Sequence, residues 1–131
     1  HVHPAAMRLC SCCAGQRMVL ITDAMQAAGM ADGRYSLCGE AVEMRGGIVR
    51  TASGGLAGST LSLDAAVRNM VELAGAAPED AIHMASLHPA RLLGIDDRLG
   101  SLRTGKCANV IALNAGLHLQ KIWIQGQALP L

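Results

Sequence analysis

The sequence predicts an α/β fold, and three stretches carry that expectation. "VLIT", residues 19–22, is a continuous apolar run closed by a threonine. Its lack of alternation suits a strand covered on both faces, as in a parallel sheet. "STLSLDAAVRNMVELAG", residues 59–75, sets Leu63, Ala66, Val67, Met70, Val71 and Ala74 on one helical face. In "EAVEMRGGIVR", Val42 and Met44 alternate with Glu43 and Arg45, and Gly46-Gly47 offers a hairpin turn.

The remaining elements follow in chain order. Residues 4–15, "PAAMRLCSCCAG", read as a helix, with Pro4 in its first turn and Gly15 at its stop. The strand "RMVLITDA" comes next, then a loop over 24–34 and an antiparallel meander over 34–51. After the helix of residues 59–75, which Gly75 terminates, "PEDAIHMASL" opens a second helix on Pro78. There Glu79 and Asp80 favour the helix dipole. "HPARLLG" starts a short helix at Pro89 and ends it at Gly94. Residues 108–113 and 117–125 read as two strands joined by a turn at Asn114-Ala115-Gly116, and a domain boundary is expected near residues 95–105.

Composition narrows the function. With 131 residues, 51% of them apolar, the chain can bury one core of ordinary size. The formal net charge is +1 and only 2% of residues are aromatic, so neither a basic block nor a stacking platform suggests nucleic acid. No apolar run approaches the ~20 residues that span a bilayer, and no charged-then-apolar N-terminal stretch marks a signal peptide. A cytoplasmic protein with no membrane partner is expected. The chain opens on His1-Val2-His3-Pro4 and reads as a piece of something longer. Five irregularly spaced cysteines argue against a disulfide framework. Cys10, Cys12 and Cys13 lie within a helical stretch with no second close pair, so small buried core cysteines are expected rather than zinc ligands or a redox motif. His83, His88 and His118 share no metal-ligand spacing and are expected to be structural or exposed. Met70 and Met84 are expected to fill cores.

One feature does not fit a plain core strand. Asp23 ends it, and a long Ala/Gly/Met loop follows instead of a tight turn. Taken together, "HVHP", "VLITDAM", "GGLAGSTLSLDAAVRNMVE" and "MASLHPARLLGIDDRLGSLRTGKCANVIAL" resemble the C-terminal part of the N-acetylglucosamine-6-phosphate deacetylases, a group of metal-dependent amidohydrolases. The last stretch is general to amidohydrolases; "TDA", the meander and "LAGSTL" are more specific.

The resemblance implies the C-terminal portion of a (β/α)8 TIM barrel plus C-terminal strands of a small β-sandwich domain. A complete barrel takes roughly 250 residues, so only its last part fits here. Residues 1–100 would hold the end of the barrel, with the meander at 34–51 inserted, and residues 101–131 the β-domain strands. In such barrels catalytic groups sit at the C-terminal ends of strands, the place that Asp23 takes at the end of strand eight.

The implied reaction is hydrolysis of N-acetylglucosamine 6-phosphate to glucosamine 6-phosphate and acetate. The resemblance makes Asp23 the general base and acid, and gives substrate contacts to His1, Leu56, Ala57 and Gly58. It also implies a divalent metal, zinc or similar, whose ligands lie upstream of this chain, so no residue here is assigned to metal. A small-molecule substrate and a homodimer of the full-length enzyme are expected as partners. Other readings stay open. Asp23 also suits a turn cap, and "GGLAGS" also suits a turn that merely starts a helix. The chain also suits another amidohydrolase, dihydroorotase- or deaminase-like, or an inactive structural or oligomerisation segment.

Overall fold

In the computed structural model, which describes residues 1–130, the chain opens on helix α1 (Pro4–Ala14). His3 caps it, its Nδ1 accepting from the Ala5 N–H at 3.2 Å, and Pro4 stands where a missing N–H costs nothing. Gly15 ends it and begins a 3₁₀ turn, Gly15–Arg17. The described residues form two compact units. One joins His1–Leu20 to the chain from Asp64 onward; the other is Ile21–Leu63.

The second unit is built on the meander. Strands β1 (Gly33–Leu37), β2 (Glu40–Arg45) and β3 (Ile48–Thr51) form an antiparallel sheet in the order β1-β2-β3. Both hairpins close with two-residue turns, Cys38-Gly39 and Gly46-Gly47, all four at positive φ. Alternation sets the faces: Val42, Met44 and Val49 point into a core with Met25, Ala27 and Ala57. Arg34, Glu43 and Arg50 stand in one cross-strand row on the other face. Each buried Val or Met side chain contributes about 1.5–3 kcal/mol, so the pattern leaves one stable register.

The first unit packs helices. Helix α2 (Leu63–Glu72) buries Ala66, Val67 and Met70. Val67 and Met70 join Ala74, Ala81 and Met84, the last two from helix α3 (Pro78–Ala85). The chain leaves α2 through Gly75, at φ +73, with the Ala76 N–H on the Met70 carbonyl at 3.0 Å. Arg68 pairs with Asp64 at 2.7 Å and also donates to the Leu117 carbonyl at 3.0 Å, tying α2 to the tail. Helix α4 (Leu87–Leu92) precedes a loop in which Gly100 lies against it. A Cβ on Gly100 would stand 2.8 Å from the Ala90 Cβ and 3.0 Å from the Leu87 Cα, so no other residue fits. The Lys106 ammonium straps that loop, donating to the carbonyls of Asp96 and Leu99 and to the Ser101 hydroxyl. Strands β4 (Val110–Leu113), β5 (Leu119–Ile124) and β6 (Gln127–Leu129) make a second antiparallel sheet.

Several expectations need correction. The apolar run of residues 19–22 joins no ladder; only Ala24 forms a parallel bridge, to Ser59. A parallel strand needs parallel neighbours, and both sheets among the described residues are antiparallel. The Leu20 N–H bonds the Met84 carbonyl instead, at 2.9 Å. Helix α2 starts at Leu63 rather than at residue 59, because Ser59 and Thr60 spend their polar groups on Asp23, Met25 and Gly47. Helix α4 starts two residues before Pro89, which the first turn tolerates. The tail has a third strand, β6, after a turn at Gln125-Gly126. Cys10, Cys12 and Cys13 are exposed, not core: α1 contains no buried residue. Gly46-Gly47 turns the hairpin, and Met70 and Met84 are core, as the sequence indicates.

Candidate functional site

The site grows from Asp23 and the "LAGS" segment, both in the Ile21–Leu63 unit. Asp23 has φ +53, a left-handed conformation that costs a non-glycine residue roughly 1–2 kcal/mol. Its neighbours hold it there. The Ser59 N–H donates to the Asp23 carbonyl at 2.8 Å, and the Met25 N–H to the Ser59 carbonyl at 2.9 Å. The Ser59 hydroxyl donates to the Thr22 carbonyl at 2.5 Å and accepts from the Leu61 N–H at 2.9 Å. The Ala24 N–H goes to the Thr22 hydroxyl at 3.2 Å.

This geometry bears on the turn-cap alternative. An aspartate cap bonds the N–H two residues on, and for Asp23 that group, the Met25 N–H, is held by Ser59. Asp23 is exposed and lines a cleft of about 350 Å³ together with Gln26, Ser36, Cys38 and Gly58. An open carboxylate on a fixed backbone can exchange a proton with a bound molecule.

Gly58 meets Asp23 at close quarters. It has φ +67, and a Cβ on it would lie 3.2 Å from the Asp23 carbonyl and 3.4 Å from the Met25 Cβ. Only glycine brings the two segments this near. The neighbouring Ala57 turns its methyl into the core and gives its N–H to the Val49 carbonyl at 3.1 Å. Leu56 is 51% exposed and opposes Arg50 in an isolated bridge. Asp23 and Gly58 thus share one cleft, and Leu56 and Ala57 adjoin it along the chain. The helix that follows begins five residues beyond Gly58, not directly after it.

His1 is exposed and belongs to the other unit. His3 is the helix cap described above. His88 is buried, its Nδ1 on the Met18 carbonyl at 2.8 Å, while His83 and His118 are exposed. Ser59, 8% exposed, was not singled out in the sequence. Its signal was its place directly after "LAG", beside the glycine that approaches Asp23.

Among the described residues no three His, Cys, Asp or Glu side chains group so as to hold a metal ion. The residues present therefore do not make a metal site by themselves.

Comparison with known proteins gives this arrangement its context. The amidohydrolase family model matches residues 5–129. The chain belongs to the amidohydrolase family. It is 76% identical over 127 residues to the N-acetylgalactosamine-6-phosphate deacetylase of Escherichia coli O157:H7, a match that covers 97% of this chain and 34% of that protein. It is 48% identical over 127 residues to the N-acetylglucosamine-6-phosphate deacetylase of Vibrio furnissii, covering 97% of this chain and 32% of the relative. The crystal structure of the N-acetylglucosamine-6-phosphate deacetylase from Pasteurella multocida superposes with a TM-score of 0.94 at 28% identity, over 98% of this chain and 34% of that one. The chain thus spans about a third of the length of these three relatives. Its kinship lies with the amino-sugar-6-phosphate deacetylases, which are hydrolases.

Proposed function

We propose that this chain is the C-terminal part of an amidohydrolase that removes the acetyl group from an N-acetylhexosamine 6-phosphate. The observation that carries the reading is the 76% identity over 127 residues to a deacetylase of that substrate class. The sequence alone suggested the glucosamine substrate. The higher identity to the galactosamine-named relative, against 48% for the glucosamine-named one, favours the C4 epimer.

In this reading residues 1–100 complete a (β/α)8 barrel, with the meander at 34–51 inserted, and residues 101–131 contribute strands to a small β-sandwich. The 0.94 TM-score over 98% of the chain supports that placement. Asp23 is the general base and acid: it takes a proton from the attacking water and returns it to the departing sugar nitrogen. The open carboxylate on a clamped backbone supports this role. Leu56, Ala57 and Gly58 line the sugar site, with Ala57 acting through its backbone because its methyl is buried. His1 contributes a hydrogen bond to the substrate. A divalent metal, zinc or similar, serves the full-length enzyme through ligands outside this chain, and the enzyme acts as a homodimer in the cytoplasm.

The test is a direct assay. A full-length deacetylase carrying this segment is offered both N-acetylhexosamine 6-phosphates and dihydroorotate. Acetate release from the sugar phosphates, with the galactosamine epimer showing the higher kcat/KM, is the expected result. Turnover of the cyclic amide alone would move the chain to the dihydroorotase-like branch.

A further inference from the structure

We infer that Ser59 is a positioning residue for Asp23, setting the direction of the carboxylate without touching substrate. This rests on the reading of Asp23 as the acid–base group. Ser59 is buried at 8% exposure and holds the chain on both sides of Asp23. Before it, the Ser59 hydroxyl donates to the Thr22 carbonyl at 2.5 Å. At it, the Ser59 N–H donates to the Asp23 carbonyl at 2.8 Å. After it, the Met25 N–H donates to the Ser59 carbonyl at 2.9 Å.

The geometry needs such a clamp. Asp23 sits at φ +53, where a side chain stays only if its surroundings over-determine it. Two of the three holding bonds run through the Ser59 peptide and survive any side-chain change. The hydroxyl bond does not. It fixes the peptide between Thr22 and Asp23, whose rotation would swing the Asp23 Cα–Cβ bond. The hydroxyl has no freedom to turn elsewhere, because its oxygen also accepts from the Leu61 N–H at 2.9 Å. A displacement of about 1 Å at a reacting group costs on the order of 10²-fold in rate, so a loosened Asp23 should show in kcat.

The experiment uses the full-length deacetylase. Ser59→Ala removes the hydroxyl and keeps the backbone bonds. Ser59→Thr keeps the hydroxyl. Ser59→Cys keeps the shape with a weaker donor and stands in if the alanine variant does not fold. The expected result is a fall in kcat of about tenfold or more in Ser59→Ala, with KM and bound metal little changed and substantial recovery in Ser59→Thr. In the Asp23→Asn background Ser59→Ala should cost nothing further, because Ser59 acts through the lost carboxylate. A lowered melting temperature with wild-type kcat in the folded Ser59→Ala or Ser59→Cys enzyme would make Ser59 merely structural and overturn the inference. Equal further loss in the Asp23→Asn background would overturn it as well. The two readings separate cleanly. Asp23→Asn with near-wild-type kcat removes the acid–base assignment itself, whereas an inactive Asp23→Asn beside an active Ser59→Ala removes only the role of Ser59.

Discussion

Asp23 shows how far a single residue can be read. Its place after an apolar run raised two candidates, a turn cap and a proton-transfer group. The Met25 N–H that an Asp23 cap would bond is taken by Ser59, an observation that supports the proposed proton-transfer role over the cap. Replacing Asp23 with Asn in the full-length enzyme keeps the shape and removes the proton acceptor. General acid–base groups contribute about 10²–10⁴-fold, so kcat should fall by that order while metal content and substrate affinity change little. A loss of metal in step with rate would make Asp23 chiefly a ligand. Gly58 gives a second test at this scale. Gly58→Ala puts a methyl 3.2 Å from the Asp23 carbonyl at a φ of +67. The strain is roughly 1–2 kcal/mol and should appear as a lower melting temperature together with a lower kcat. The sequence singled out Asp23 and Gly58 separately. Their juxtaposition was not legible, because it rests on a bridge between Ala24 and Ser59 that no local pattern announces.

At the scale of elements, legibility followed how local the forces are. The meander was readable because side-chain alternation and two-residue turns both act within a few positions: Met44 faces Val49 across the ladder, and Gly46-Gly47 closes it. Helix α2 was readable from its stripe of Ala66, Val67 and Met70, though its start was not, since distant segments draw Ser59 and Thr60 away. The run of residues 19–22 was read by its composition as a strand, but a ladder depends on a partner that composition does not supply. A direct check of this packing is Met70→Ala, which empties a site that is 1% exposed. Large-to-small changes in a core cost about 2–5 kcal/mol, so the unfolding transition should move clearly. Leu9→Ala, at a position 65% exposed, should shift it by no more than about 0.5 kcal/mol. Equal responses at the two positions, measured by denaturant titration, would show that α2 does not hold the core.

At the scale of the whole molecule, the proposal that the chain is part of a larger enzyme comes with a surface to match. Leu92, Leu93 and Leu102 are 75%, 70% and 83% exposed, and in the other unit Ile21 is 75% exposed. Soluble monomers seldom leave so much large apolar side chain in water. Two of its relatives are about three times as long as the matched segment, and in the proposed full-length enzyme the rest of the barrel is what such residues would pack against. The chain produced alone should therefore self-associate. Sedimentation at increasing concentration should show a rising average mass, and adding the remaining two-thirds of the enzyme as a separate polypeptide should reduce it. The same logic extends to chemistry. Among the described residues no three His, Cys, Asp or Glu side chains group so as to hold a metal ion, and the proposed function places the metal ligands outside this chain. Purified alone, the chain should release no acetate from either N-acetylhexosamine 6-phosphate and should bind no stoichiometric zinc. With the complementary polypeptide and zinc present, activity should appear and should depend on Asp23. A monodisperse monomer that deacetylates the sugar phosphate unaided would mean that these 131 residues hold a complete active centre, and the division of labour proposed for the full-length enzyme would have to be abandoned.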